Sequence, residues 1–327
     1  MPAASPTRRP GPDACPGVLS VWAAADGGLA RVRLPGGRVD AAAARVLADA
    51  AADLGSGVLE FTVRGNIQIR GLPTNAEADL AARLRVAGLL PSDRHDRVRN
   101  ILASPLSGLL DPHRPDVGPL LAALDAALID DDALGALPGR FLFCLDDGGG
   151  DVAALGGDVT LLAGADRWSL LLAGVDVCIA VADLAAAAVA VAAAGAFLDE
   201  RAAQHSSAWR LAELGGGPAR VAARLRAAGA APGESAAPIE VPTRPRPTAL
   251  GPTRQHDGRI ALTVAAPGGQ LSAAALHALA AAATVSGLRI TPWRSVVLPD
   301  LKPADVQGVL AMLRRHDLHT DPDRVLA

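Results

Sequence analysis

The sequence predicts an α+β fold in which two ferredoxin-like half-domains stand in pseudo-symmetric arrangement around a middle α/β module. Three observations predict it. The stretch Gly57 to Gly71 reads Gly-Val-Leu-Glu-Phe-Thr-Val-Arg-Gly-Asn-Ile-Gln-Ile-Arg-Gly, with strong strand formers and much alternation of apolar with polar residues. A second, diverged copy of its surroundings recurs about 230 residues later. Between the copies, strand-like and helix-like runs alternate as in an α/β module.

The elements follow in chain order. Residues 1–16, rich in Pro, Ala and Arg, read as a disordered tail. The first half-domain, 17–90, opens with strands over 18–23 and 30–34 either side of Asp26-Gly27-Gly28. Pro35-Gly36-Gly37 turns the chain into a helix with Asp40 as N-cap and apolar positions running to Leu54. The strand Gly57 to Gly71 and a helix over 74–87 complete it.

The middle module, 91–227, carries an apolar run over 101–104 and a helix over 119–129. Strands over 141–145, 159–163 and 168–173 follow, then a long helix over 184–203. Gly148-Gly149-Gly150 lacks the Lys and Ser or Thr of a phosphate loop and reads as a hairpin turn. A Pro-, Gly- and Ser-rich linker, 228–255, leads to the second half-domain, 256–327. There Pro267-Gly268-Gly269 precedes a helix over 272–283, and Gly287-Leu288-Arg289-Ile290-Thr291 echoes Gly57 to Thr62. An Arg follows each within a few residues, Arg64 and Arg294, although the spacing from turn to Thr differs by three residues between copies.

Polar positions two apart leave a strand on one side, so Thr62, Arg64, Asn66, Gln68 and Arg70 share a face. Two readings of that face stand: a solvated side of an ordinary amphipathic strand, or a set of planar forks suited to carboxylates and other oxyanions. Trp293 reads as a core residue before it reads as a stacking surface.

Composition narrows the classes. A formal net charge of −3 with no basic tail or stripe gives no sign of a nucleic-acid partner, and none is expected. The opening residues lack the apolar core of a signal peptide, and the apolar run over 170–197 is interrupted by Asp176, Asp183 and Gly195. No membrane span and a cytoplasmic location are expected. Cys15, Cys144 and Cys178 are far apart and odd in number, which gives no disulfide framework; Cys144 and Cys178 read as buried, inert thiols. The histidines form no metal-binding pair, so no protein-only metal site is expected.

Several motifs are long enough to carry a resemblance: Cys15-Pro16-Gly17, Arg31-Val32-Arg33-Leu34-Pro35-Gly36-Gly37, Thr62 to Gly71, Arg99-Asn100-Ile101-Leu102-Ala103-Ser104-Pro105 and Leu288-Arg289-Ile290-Thr291-Pro292-Trp293-Arg294. Over about Asp13 to Asp323 the chain resembles the nitrite and sulfite reductase superfamily, and within it the precorrin-3B synthase branch of cobalamin biosynthesis. The resemblance implies a siroheme-reductase-type module between half-domains flanking a tetrapyrrole with many carboxylates. It places Arg64 on the Arg of the first Thr-x-Arg motif, Arg99 on that of the Arg-Asn motif, and Arg140 where the reductases carry a Lys. A second reductase Lys is replaced by Leu142, which favours oxygen-dependent hydroxylation of precorrin-3A with lactone formation over sulfite or nitrite reduction.

The expected substrate-binding set is therefore Arg64, Asn66, Gln68, Arg70, Arg99, Asn100, Arg140 and Arg294, with no catalytic residue assigned. For Arg99 and Arg294 a structural salt bridge is an equal reading. The resemblance also implies iron and a 4Fe-4S cluster on four cysteines beyond the second half-domain, and the three cysteines of this chain do not match that spacing. Three explanations are open: a truncated coding frame, a companion chain that brings the cluster or an electron donor, or a non-catalytic tetrapyrrole-binding descendant.

Overall fold

The computed structural model describes residues 13–230 and 238–321. The expected tail lies mostly outside these residues, and so does part of the expected linker. Where the linker is described it holds a strand, and Ile239 and Val241 pack against Ala153, Leu162 and Leu171.

The first half-domain contains β1 (Trp22–Ala24), β2 (Gly27–Val32), β3 (Arg38–Val39), α1 (Ala41–Leu54), β4 (Val58–Phe61), β5 (Ile67–Leu72) and α2 (Glu77–Val86). The module that follows contains β6 (Ile101–Ala103), α3 (Gly118–Asp130), β7 (Phe143–Asp146), β8 (Val159–Ala163), β9 (Trp168–Leu172), β10 (Val175–Val181), α4 (Asp183–Ala203) and α5 (Gly217–Ala227). The second half-domain contains β11 (Gly251–Arg254), β12 (Ile260–Ala265), β13 (Gln270–Ser272), α6 (Ala273–Ala282), β14 (Leu288–Ile290), β15 (Ser295–Leu301) and α7 (Val306–Arg314). No helix among the described residues is long and apolar enough to cross a membrane.

Two compact units result. One joins both half-domains, residues 16–96 and from 247 on, with residues 105–113. Its two sheets run β1-β2-β5-β4-β13 and β11-β12-β15-β14-β3, so each half-domain lends its short third strand to the edge of the other's sheet. The exchange follows from the paired turns. Pro35-Gly36-Gly37 and Pro267-Gly268-Gly269 both form a 3-10 turn with a left-handed central Gly at φ 61°, each delivering a short strand and then a capped helix. Asp40 caps α1 by accepting from the Ala43 N–H, and Ser272 caps α6 by accepting from that of Ala275. One apolar core spans both copies, from Leu47, Leu59, Phe61 and Ile69 to Leu276, Leu279, Leu298 and Leu313. Each copy thus completes the other's sheet and core.

The expected single strand from Gly57 to Gly71 is instead a hairpin. Thr62 N–H donates to Asn66 O (2.9 Å) and Gly65 N–H to Thr62 O (3.0 Å), with Gly65 left-handed at φ 64°. The Arg-Gly-Asn turn signal outweighed the strand propensity around it. Thr62, Arg64 and Asn66 therefore do not share a strand face with Gln68 and Arg70.

The other unit comprises residues 97–104 and 114–246, with the described part of the N-terminal segment, 13–15. Its sheet runs β10-β9-β8-β7-β6, with β6, β7 and β8 parallel and β9 and β10 antiparallel. Phe141, Phe143 and Phe197 pack ring against ring in its core. Because β7 and β8 are parallel, Gly148-Gly149-Gly150 is not a hairpin turn. It starts a short crossover organised by the Asp146 carboxylate, which accepts N–H groups from Gly148, Gly150, Val152 and Ala153 at 2.8–3.0 Å. Cys144 is buried as expected, but Cys178 is partly exposed at φ 54°, where the β9–β10 register shifts.

Candidate anion-binding site

In the half-domain unit, strand parity sends apolar side chains to the common core and the alternate positions outward. One outward row crosses the first sheet as Arg31, Gln68, Glu60 and Gln270. The corresponding row of the second sheet is Thr263, Val297, Arg289 and Arg38. Arg33, just past β2, is 2% exposed and Gln68 is 6% exposed, whereas Arg31, Arg38 and Glu60 are half-buried and Gln270 is exposed. Arg289 is also buried, and its Nη1 donates to Pro105 O and Ser107 O, both at 2.9 Å, holding that segment on the second sheet.

The hairpin turns at the ends of the rows correspond atom for atom in their backbone bonding. Thr291 N–H donates to Ser295 O as Thr62 N–H does to Asn66 O, and the hydroxyl of each Thr accepts from two following N–H groups. The left-handed residue is Gly65 in one turn and Arg294 (φ 58°) in the other. The structural counterpart of Arg64 is therefore Trp293, and that of Arg294 is Gly65. The sequence echo of Arg64 with Arg294 was one residue out of register.

The expected site residues divide by what they already hold. Asn66 accepts the Leu34 N–H at 2.9 Å and ties the hairpin to the end of β2. Arg70 grips Asp26 through Nε and Nη2 and Glu60 through Nη1, and the Asp26 hydrogen bond raises its own pKa. Gln68 sits in the outward row. Arg64 lies partly exposed in its turn, and Arg294 is exposed with Nη1 on Gly268 O at 3.2 Å.

In the second unit, Arg99 makes a bidentate pair with Asp125 at 2.8 and 2.6 Å, with side-chain exposures of 7% and 20%. Asn100 is buried and donates to Gly139 O and Phe141 O. Arg140 is exposed and lies 5.4 Å from the Trp209 ring centroid, in cation–π range. Leu142 is buried with Leu102 and Cys144. Asp158 fixes this segment by accepting from Leu142 N–H, Leu211 N–H and Arg210 Nε; burial pushes its pKa up. Of the expected set, Asn66, Arg70, Arg99 and Asn100 make hydrogen bonds within the fold and Gln68 lies in the outward row, while Arg64 is half-buried and Arg140 and Arg294 are exposed. Sequence reasoning omitted Arg31, Arg33, Arg38 and Arg289, although the alternation Arg31-Val32-Arg33 was a sufficient signal for the first two.

The three cysteines, Cys15, Cys144 and Cys178, are the thiols that could ligate an iron–sulfur cluster. Burial pushes the Cys144 thiol up to about 12, which disfavours the thiolate a cluster needs. The only close trio of ligating side chains among the described residues is Asp146, Asp147 and Asp151, whose oxygens are the wrong donors. The residues present do not fit a cluster.

That carboxylate trio has its own consequence. Burial, then the Asp146 and Asp147 charges against the opposing Ser104 hydrogen bond, raises Asp151 to about 7. Asp147 is also raised, chiefly by burial, with Arg114 opposing. The folded protein retains a proton on Asp151 that the unfolded chain has lost above its ordinary value near 3.8. Stability contributed by this group is thus full at low pH and falls as pH rises to about 7, at up to about 1.4 kcal/mol per pH unit. Urea denaturation from pH 4 to 7 should show this decline in the wild type and a shallower one in Asp151→Asn; equal slopes would contradict it.

Comparison with known proteins agrees with this architecture. Residues 24–87 and 253–316 each match the Nitrite/Sulfite reductase ferredoxin-like half domain. No curated protein matches the chain in sequence. Among solved structures the chain is similar to the NirA protein of Mycobacterium tuberculosis, with a TM-score of 0.74 and 22% identity over 96% of this chain and 62% of that one. The chain thus shares the fold of that protein and spans less than two thirds of its length.

Proposed function

We propose that the chain binds a polycarboxylated tetrapyrrole and acts as a precorrin-3B synthase-like oxidoreductase. The observation that carries this reading is the set of guanidiniums, Arg31, Arg33, Arg38 and Arg64, on the outward rows and hairpin tip of the twinned sheets. A macrocycle with carboxylates around its rim matches several rigidly placed planar cations, and each charge-assisted pair contributes about 1.5–3 kcal/mol. Arg31 and Arg38 stand on strands, which position them more firmly than loops would.

Binding and orientation are what this chain's own residues supply. Its cysteines do not fit a cluster, and side chains alone lack the redox chemistry to oxidise the macrocycle. A sulfite- or nitrite-reducing reading is favoured by the half-domain matches. Leu142 weighs against it, because a buried aliphatic side chain beside Leu102 and Cys144 delivers no proton to an anion.

Titration of an octacarboxylated porphyrin, uroporphyrin, followed by its absorption band, tests the binding. Wild type should bind saturably, and Arg64→Ala should bind about tenfold or more weakly, the scale of one charge-assisted pair. Its affinity should also fall less steeply with added salt. Equal affinity and equal salt dependence in the two proteins would refute the assigned role of Arg64.

A further inference from the structure

The two hairpin turns share one backbone and present different chemistry. Thr62 corresponds to Thr291, Val63 to Pro292, Arg64 to Trp293, Gly65 to Arg294 and Asn66 to Ser295, as the matched hydrogen bonds require. The turns also meet. A Cβ on Gly65 would stand 3.1 Å from Ile290 O, next to Thr291 in the chain. A guanidinium and an indole thus occupy equivalent places in the pseudo-symmetric pair.

Trp293 is not the core residue that its composition suggests. It is partly exposed and joins none of the hydrophobic clusters among the described residues, unlike Trp168, which is buried in the core of the other unit. The turn that carries it accepts backbone strain: Arg294 holds a left-handed φ of 58° where the sister turn uses Gly. Such strain persists where the surroundings over-determine it, and it clusters at binding sites. The outward rows differ as well: Thr263 and Val297 stand where the first sheet has Arg31 and Gln68, and Arg289 and Arg38 where it has Glu60 and Gln270.

We infer that Trp293 is a stacking residue that receives the π-face of a planar polycarboxylated macrocycle, while the sister turn engages its carboxylates through Arg64. The inference rests on the tetrapyrrole-binding reading above. It makes the pseudo-symmetric pair asymmetric in function: one turn recognises charge and the other recognises an aromatic face.

The test compares uroporphyrin, with eight carboxylates, and coproporphyrin, with four, on wild type, Trp293→Phe, Trp293→Leu, Trp293→Ala and Arg64→Ala at two salt concentrations. Trp293→Ala should lose about tenfold in affinity for both porphyrins with the salt dependence of wild type. Trp293→Phe should stay within about threefold of wild type. Arg64→Ala should instead lose more on the octacarboxylate and show a weaker salt dependence. Trp293→Leu keeps apolar bulk in the turn without an aromatic face and carries the test should the alanine variant lose its fold. Wild-type affinity in a folded Trp293→Leu, or a reduced salt dependence in Trp293→Ala, overturns the inference while the binding reading stands. Absence of porphyrin binding by wild type overturns the binding reading itself, and the inference with it.

Discussion

Gly37→Ala is expected to prevent folding of the twinned half-domains. Gly37 lies at φ 68°, and a Cβ there would stand 1.9 Å from Ile290 O, 2.9 Å from its carbonyl carbon and 3.1 Å from its nitrogen. All three are backbone atoms of β14, the strand that β3 joins immediately after Gly37. No side chain can swing away to make room, so β14 must move and the exchanged strand must detach. The left-handed conformation alone costs about 1–2 kcal/mol for a residue with a Cβ, and a native domain has only about 5–15 kcal/mol in hand. Gly57 is the control: it is also left-handed, at φ 76°, but a Cβ there meets nothing within 4 Å. Gly57→Ala should therefore lose only that conformational cost, about 1–2 kcal/mol. Soluble yield and urea unfolding separate the two, and a Gly37→Ala protein as stable as Gly57→Ala would disprove the close approach.

Arg99→Ala should act through stability before it acts on any ligand. The Arg99 guanidinium faces Asp125 with two short hydrogen bonds and little exposure on either side. Removing one member strands the other's charge, which costs about 3–5 kcal/mol in a buried pair; the partial exposure of Asp125 puts this one near about 3 kcal/mol. Asp125→Ala should cost a similar amount, while the double change Arg99→Met with Asp125→Leu should cost far less than the sum. A double-mutant cycle by urea denaturation measures the coupling. An Arg99→Ala protein with wild-type stability and weakened porphyrin binding would return Arg99 to the ligand set. The same logic applies less strongly to Arg70, whose partners Asp26 and Glu60 are more open to solvent.

These two residues mark where sequence reading stops. Period-two alternation identifies which side of a strand is polar, and it did so for Gln68 and Arg70. It says nothing of the acid a guanidinium will meet, because Asp26 is 44 residues from Arg70 and Asp125 is 26 from Arg99. Local turn chemistry outweighs strand propensity here: Gly65, left-handed, ends a strand that propensity alone would continue through it.

The chain's own order of residues determined the α+β class, the two half-domains and their capped helices, because Pro-Gly-Gly turns, N-caps and hydrophobic periods act over a few residues. Only the tertiary structure decided the exchange of β3 and β13 between sheets, the matching of Trp293 with Arg64, and the pairing of Arg99 with Asp125. Those outcomes depend on contacts between distant segments, whose geometry follows from packing a shared core rather than from local preference.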